Sequence, residues 1–208
     1  SDMTLYAQWE VTYIFEAEYV DLSGMYGAGW SGGNASGQTF IGYDETGSGQ
    51  ASNQFFLSYL YREGGTGRFV IQAAAEVDDA TLVMRLAGEG GAEFTITSDI
   101  YTVMVNGTAV TYDDITFKDV PTLGQPIMQF QDYVVAEGVH LNAGENVIEL
   151  ITTNATSMGG TTAAIAPMVD CIKSTTSANL TWQPKLNLRK RCRVYGLLSQ
   201  RSSLSLHW

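Results

Sequence analysis

Apolar residues in this chain come in short runs, alternating with polar ones and punctuated by glycine and asparagine, and nowhere at the spacing of an amphipathic helix. A period of two is the signature of a strand with one buried face, whereas a helix needs apolar residues three and four apart. The runs are Trp9–Val20, Phe55–Tyr61, Arg68–Ala74, Thr81–Ala87, Tyr101–Val105, Thr108–Tyr112, Phe130–Ala136, Asn146–Thr153, Ala163–Ile172 and Asn179–Trp182. Glu76-Val77-Asp78-Asp79 reads as an acidic turn between the third and fourth runs. Asn106-Gly107 reads as a type I′ hairpin turn, because both of its central residues need positive φ, which Asn and Gly tolerate. Roughly ten to twelve short strands with turns between them predict an all-β fold, a jelly-roll β-sandwich of two antiparallel sheets.

Composition agrees with that class and narrows the partners. Apolar residues make up 45% of the 208, enough for a core, while charged residues are 16%, below the roughly 25% of an average globular protein. Residues 1–184 carry five basic and all 22 acidic residues, a net of −17, and residues 185–208 carry six basic residues and no acid, a net of +6. An acidic body argues against nucleic acid or an anionic membrane as a partner and suits cations and neutral sugars. No apolar run reaches the roughly 18 residues of a membrane-spanning helix, and Ser1-Asp2-Met3-Thr4 does not open a signal peptide. The chain reads as a piece of a larger protein. The sandwich is expected over residues 11–184, followed by a basic tail, 185–208, outside the fold, with foreign sequence as one reading of it. Of the two cysteines, Cys171 lies in an apolar run and reads as a buried thiol, and nothing places Cys192 beside it.

Two segments carry candidate chemistry. In Phe15-Glu16-Ala17-Glu18-Tyr19, strand alternation turns Glu16 and Glu18 to one face, about 7 Å apart by strand rise. Two carboxylates side by side repel, and a hard cation such as Ca²⁺, which takes carboxylate and carbonyl oxygens, relieves the repulsion; a solvated strand face gives the same spacing. In Ile165-Ala166-Pro167-Met168-Val169-Asp170-Cys171-Ile172, an aspartate among apolar residues is not expected to be buried unpaired, the other reading being an exposed edge position.

Together these segments resemble the carbohydrate-binding modules of families 6 and 35. Their first strand carries an acidic pair separated by Ala and followed by an aromatic, and their last strands carry an Ala-Pro-x-Val/Ile-Asp-x-Ile pattern. The segments Ser31-Gly32-Gly33 and Gly47-Ser48-Gly49 resemble the early loops of those families, and Leu141-Asn142-Ala143-Gly144-Glu145-Asn146-Val147-Ile148-Glu149-Leu150 resembles a strand opening common in them. The resemblance covers residues 11–183. It implies a structural calcium held by Glu16, Glu18 and Asp170, and a polysaccharide or oligosaccharide as the partner. One departure stands out. Where the family often places a sugar-contacting Asn before the Val/Ile-Asp pair, this chain has Met168. Asp2-Met3-Thr4-Leu5-Tyr6-Ala7-Gln8-Trp9 resembles the final strand of a Listeria–Bacteroides repeat, which implies a bacterial, extracellular, multi-modular parent, with residues 1–10 the end of a preceding repeat module or a linker.

A sugar site needs an aromatic platform for the apolar face of the ring and amide or hydroxyl groups for its hydroxyls. The family's loop site maps onto Gly24–Gly37 and Asn154–Pro167, which makes Trp30, Tyr26, Asn34 and Asn154 the ligand-binding candidates, with turn or core packing as the alternative for each. Trp182 reads as core.

Catalysis is not expected. The two histidines, His140 and His207, form no visible nucleophile arrangement or zinc spacing. Glu16 and Glu18 on one strand are poorly placed to flank opposite faces of a sugar. The expected function is therefore a monomeric, non-catalytic carbohydrate-binding module of a secreted protein, and the rival is a protein-interaction or spacer module of a surface adhesin.

Overall fold

The computed structural model describes residues 10–20, 40–43, 51–58, 66–88, 93–118, 129–153 and 167–182. The strands, in chain order, are β1 (Val11–Glu16), β2 (Phe40–Tyr43), β3 (Phe55–Ser58), β4 (Thr66–Ala73), β5 (Val77–Ala87), β6 (Phe94–Ile96), β7 (Tyr101–Val105), β8 (Thr108–Val110), β9 (Ile115–Phe117), β10 (Gln131–Leu141), β11 (Gly144–Thr152), β12 (Met168–Thr176) and β13 (Leu180–Trp182). One sheet has six strands in the order β10-β5-β12-β3-β2, with β1 also paired to β12; a second has the order β13-β4-β11-β7-β8; β6 and β9 form a separate ladder. Every pairing among these strands is antiparallel. From β3 onward, leaving aside β6, β8 and β9, the strands alternate between the two large sheets, β3, β5, β10 and β12 in one and β4, β7, β11 and β13 in the other. The predicted all-β sandwich of two antiparallel sheets is what the chain forms.

One apolar core lies between the sheets. Phe15, Leu57, Met84, Leu86, Val169 and Ile172 enter it from the six-stranded sheet, and Phe69, Ile71, Val103, Ile148 and Leu150 from the five-stranded one. Each such side chain is worth about 1.5–3 kcal/mol of transfer free energy when fully buried. Trp182 is half-buried at the core's margin, edge-on to Phe15 at 5.9 Å and stacked on Phe69 at 6.5 Å between ring centroids. A smaller cluster of Ala51, Phe56, Ala87, Phe130 and Met168 sits apart from the main core. Phe56, Ala87 and Met168 each adjoin a core residue in sequence (Leu57, Leu86, Val169), so alternation puts them on the outer face of the six-stranded sheet.

Several boundaries differ from expectation. The run Trp9–Val20 is not one strand: β1 ends at Glu16 and residues Ala17–Tyr19 wind into a 3₁₀ turn. The acidic turn shrinks, because Val77, Asp78 and Asp79 belong to β5. Asp79 leaves the turn's chemistry because it accepts hydrogen bonds from Thr176 Oγ1 at 2.6 Å and from Ser177 Oγ. The Asn106-Gly107 hairpin forms as read, with φ of 51° and 79° and β7 paired to β8. The three-residue β6 and β9 were not anticipated.

Candidate functional site

The outer face of the six-stranded sheet carries a polar row built by strand register. Glu16 on β1 lies opposite Cys171 on β12, Cys171 opposite Arg85 on β5, and Arg85 opposite Asp132 on β10. Directly opposed residues project to the same side, so four strands contribute one line of side chains. Asp170 would break that line, since its neighbour Cys171 already faces outward. A β-bulge resolves this: the register slips between Val169 and Cys171, leaving Asp170 as the extra residue. Bulges of this kind re-aim a side chain at the cost of a local bend in the strand.

Asp170 is thereby completely enclosed, with 0% of its surface exposed. Its Oδ1 accepts from the backbone N–H of Ser52 at 2.8 Å and from Ser52 Oγ at 2.8 Å. Its Oδ2 receives the Nε of Arg85 at 2.8 Å. The guanidinium also reaches Asp132 Oδ1 at 3.3 Å, and Asp132 Oδ2 accepts from Lys173 Nζ at 2.6 Å. The Ser52 hydroxyl approaches a second carboxylate as well, with Glu16 Oε2 at 2.6 Å. Ser52 sits in a short 3₁₀ turn whose next two residues, Asn53 and Gln54, have φ of 51° and 65°. That is left-handed backbone that non-glycine residues adopt at a cost, spent here directly beside the carboxylates.

A hydroxyl has one hydrogen, yet Ser52 Oγ lies within hydrogen-bond distance of two carboxylate oxygens. The two contacts are both favourable when one of the two carboxyls carries a proton or when a cation supplies the missing positive charge. Burial holds the Glu16 carboxyl above its ordinary range, the charge of Asp170 adds to the effect, and Ser52 and Lys173 offset part of it. Burial likewise raises Asp170 against the opposing pull of Ser52 and Arg85. The Cys171 thiol is pushed up to about 12 by burial, with Asp170 and Glu16 adding their charges. At 1% exposed it is the buried, inert thiol expected.

Of the three acids singled out for calcium, the structure brings Glu16 and Asp170 together through Ser52. Glu18 is buried, 4% exposed, but it lies on the 3₁₀ turn, so strand alternation no longer places it beside Glu16. Among the described residues no group of three or more His, Cys, Asp or Glu side chains stands ready to hold a metal ion. The donors that do converge, two carboxylates and a hydroxyl, are the hard oxygens that Ca²⁺ accepts, and Ca²⁺ commonly completes its shell with backbone carbonyls and water. Ser52 and Arg85 are neighbours of these carboxylates that the sequence reading missed. Arg85 had a signal: it is one of five basic residues in the first 184 and stands in an apolar strand. Ser52 had none.

The candidate sugar contacts Trp30, Tyr26, Asn34 and Asn154 lie outside the described residues. Met168 lies inside them. It is 3% exposed and packed with Ala51, Phe56, Ala87 and Phe130, so this position displays nothing to a ligand.

No family model matches the chain, and no curated protein matches it. Among solved structures it is similar to a family 35 carbohydrate-binding module from Clostridium thermocellum, at 20% identity and a TM-score of 0.48, over 79% of this chain and 97% of that one. It is also similar to the CBM35 from Cellvibrio japonicus Abf62, at 17% identity and a TM-score of 0.46, over 85% of this chain and 100% of that one. A third is the Podospora anserina GH26-CBM35 β-(1,4)-mannanase, at 16% identity and a TM-score of 0.48. All three are family 35 modules or carry one. This chain covers 86% of its own length in the third match but 29% of the mannanase.

Proposed function

We propose that the chain is a non-catalytic carbohydrate-binding module of a secreted, multi-domain bacterial protein, with a structural calcium held by Glu16, Glu18 and Asp170. The observation that carries this reading is the meeting of Glu16 and Asp170 on one Ser52 hydroxyl. These two acids sit in the two sequence segments that carry the resemblance to families 6 and 35, and they are 154 positions apart. A bound calcium would supply positive charge between carboxylates that otherwise repel. The chain's own part is to present them: the bulge turns Asp170 outward, β1 delivers Glu16, and the turn at Ser52 brings a hydroxyl and an amide between them. The sugar would be met by Trp30 and Tyr26, with Asn34 and Asn154 as polar contacts.

Met168 favours a second reading, a spacer or protein-interaction module of a surface adhesin without sugar binding, because the position is filled by a buried thioether. One experiment addresses both. The full chain is melted in excess EDTA and again in millimolar Ca²⁺, then screened on a glycan array. A ligand that binds only the native state stabilises it by about 2.7 kcal/mol at a hundredfold excess over Kd. The expected result is a calcium-dependent rise in midpoint that is absent in Glu16→Gln and Asp170→Asn, and array binding that is lost in Trp30→Ala. No response to calcium in the parent chain refutes the metal site. Calcium dependence without any array signal transfers the function to the spacer reading.

A further inference from the structure

Asp170 is satisfied without any metal. Its two oxygens already take three strong donors, Ser52 N–H, Ser52 Oγ and Arg85 Nε, all at 2.8 Å. A buried carboxylate is stable when paired and hydrogen-bonded, and here the partner is a guanidinium held in place from its other side by Asp132. Asp132 is in turn held by Lys173 at 2.6 Å. The positive charge that a calcium would bring to Asp170 is thus delivered from within the sheet by a neighbouring strand. The same Oδ2 cannot be fully engaged by Arg85 and given up to a cation at once, and two cations beside one carboxylate repel.

Building on the calcium reading above, we infer that Arg85 is a resident counter-ion that competes with calcium for Asp170, so that the domain folds without metal and binds calcium only as tightly as Arg85 permits. Arg85 is a positioning residue here, acting on the metal through Asp170. An opposite charge beside a carboxylate shifts its proton affinity by roughly one to three log units, and its affinity for another cation follows the same electrostatics. Replacing Arg85 by Gln keeps a donor of similar reach and removes the charge. Replacing it by Lys keeps the charge.

The test is calorimetric titration of the full-length chain with CaCl₂, together with thermal midpoints in EDTA and in Ca²⁺, for the parent, Arg85→Gln and Arg85→Lys. The expected outcome is that Arg85→Gln binds calcium on the order of tenfold more tightly and melts lower than the parent in EDTA but recovers in calcium, while Arg85→Lys stays near the parent in affinity. A variant that folds only when calcium is present also supports the inference, since the metal then does what the arginine did. If Arg85→Gln stays unfolded in both conditions, or binds calcium no more tightly than the parent, Arg85 is a structural ion pair and the inference is overturned while the calcium site stands. If neither protein binds calcium, the calcium reading and this inference fall together.

Discussion

Tyr101 shows what a single atom can cost. Its ring is 1% exposed in the core, and its hydroxyl finds no hydrogen-bond partner among the described residues. Burial drives its pKa well up, with Tyr112 adding to the effect, because an ionised phenol there would have no solvation at all. Tyr112, by contrast, donates its hydroxyl to the backbone carbonyl of Tyr101. A buried hydroxyl without a partner costs about 1–3 kcal/mol. Tyr101→Phe removes that oxygen and keeps the ring, so it should raise stability by on the order of 1 kcal/mol in urea unfolding. Tyr112→Phe, which strips a carbonyl of its donor, should lower it. A loss in both variants would mean that the Tyr101 hydroxyl is bonded in solution.

Elements are joined by pairs that their own sequences do not advertise. His140, near the end of β10, places Nδ1 2.6 Å from Asp78 Oδ1 at the start of β5, with Nε2 3.2 Å from Asn142 Oδ1 and 3.9 Å from Glu76. The hydrogen bond to Asp78, then that to Asn142, raises the His140 pKa. The folded state therefore favours the imidazolium. Its contribution is complete below the ordinary histidine range and disappears as pH rises through the raised folded value. The thermal midpoint should fall as pH rises from the ordinary histidine value through the raised one, and this component should be absent in His140→Asn; an unchanged profile in that variant would remove the clamp. The same element shows where sequence reading reached its limit. Three clustered acids, Glu76, Asp78 and Asp79, look like a turn, and only the later residues His140, Thr176 and Ser177 make a strand of two of them. The Asn106-Gly107 hairpin was legible because its chemistry is local. The pair Glu16 and Asp170 was legible because acids in apolar strands are rare. The bulge at Asp170 and the partnership with Ser52, 118 positions away, were not, since register and long-range contact leave no local trace.

At the scale of the whole molecule, charge is the dominant asymmetry. The full chain carries −11, and its first 184 residues carry −17. Self-repulsion of that size destabilises a compact state, and salt screens it over roughly 10 Å at 0.1 M. The midpoint in EDTA should therefore climb as NaCl is added. A flat or falling response would indicate that local ion pairs such as Arg85 with Asp132 and Lys173 with Asp132 outweigh the long-range field. Sandwich geometry adds a second property. Strand β12 sits inside the six-stranded sheet, bonded to β5 on one side and to β1 and β3 on the other, yet it is the next-to-last strand described. During synthesis from the N-terminus, β5 and β3 leave the ribosome long before the strand that joins them. Each must wait with an open edge, the kind that recruits foreign strands. Only when Met168–Thr176 emerges can the gap close, so the nascent domain passes through a sticky interval that lasts until this strand is made, and any slow codon in that window exposes it to aggregation and to chaperones.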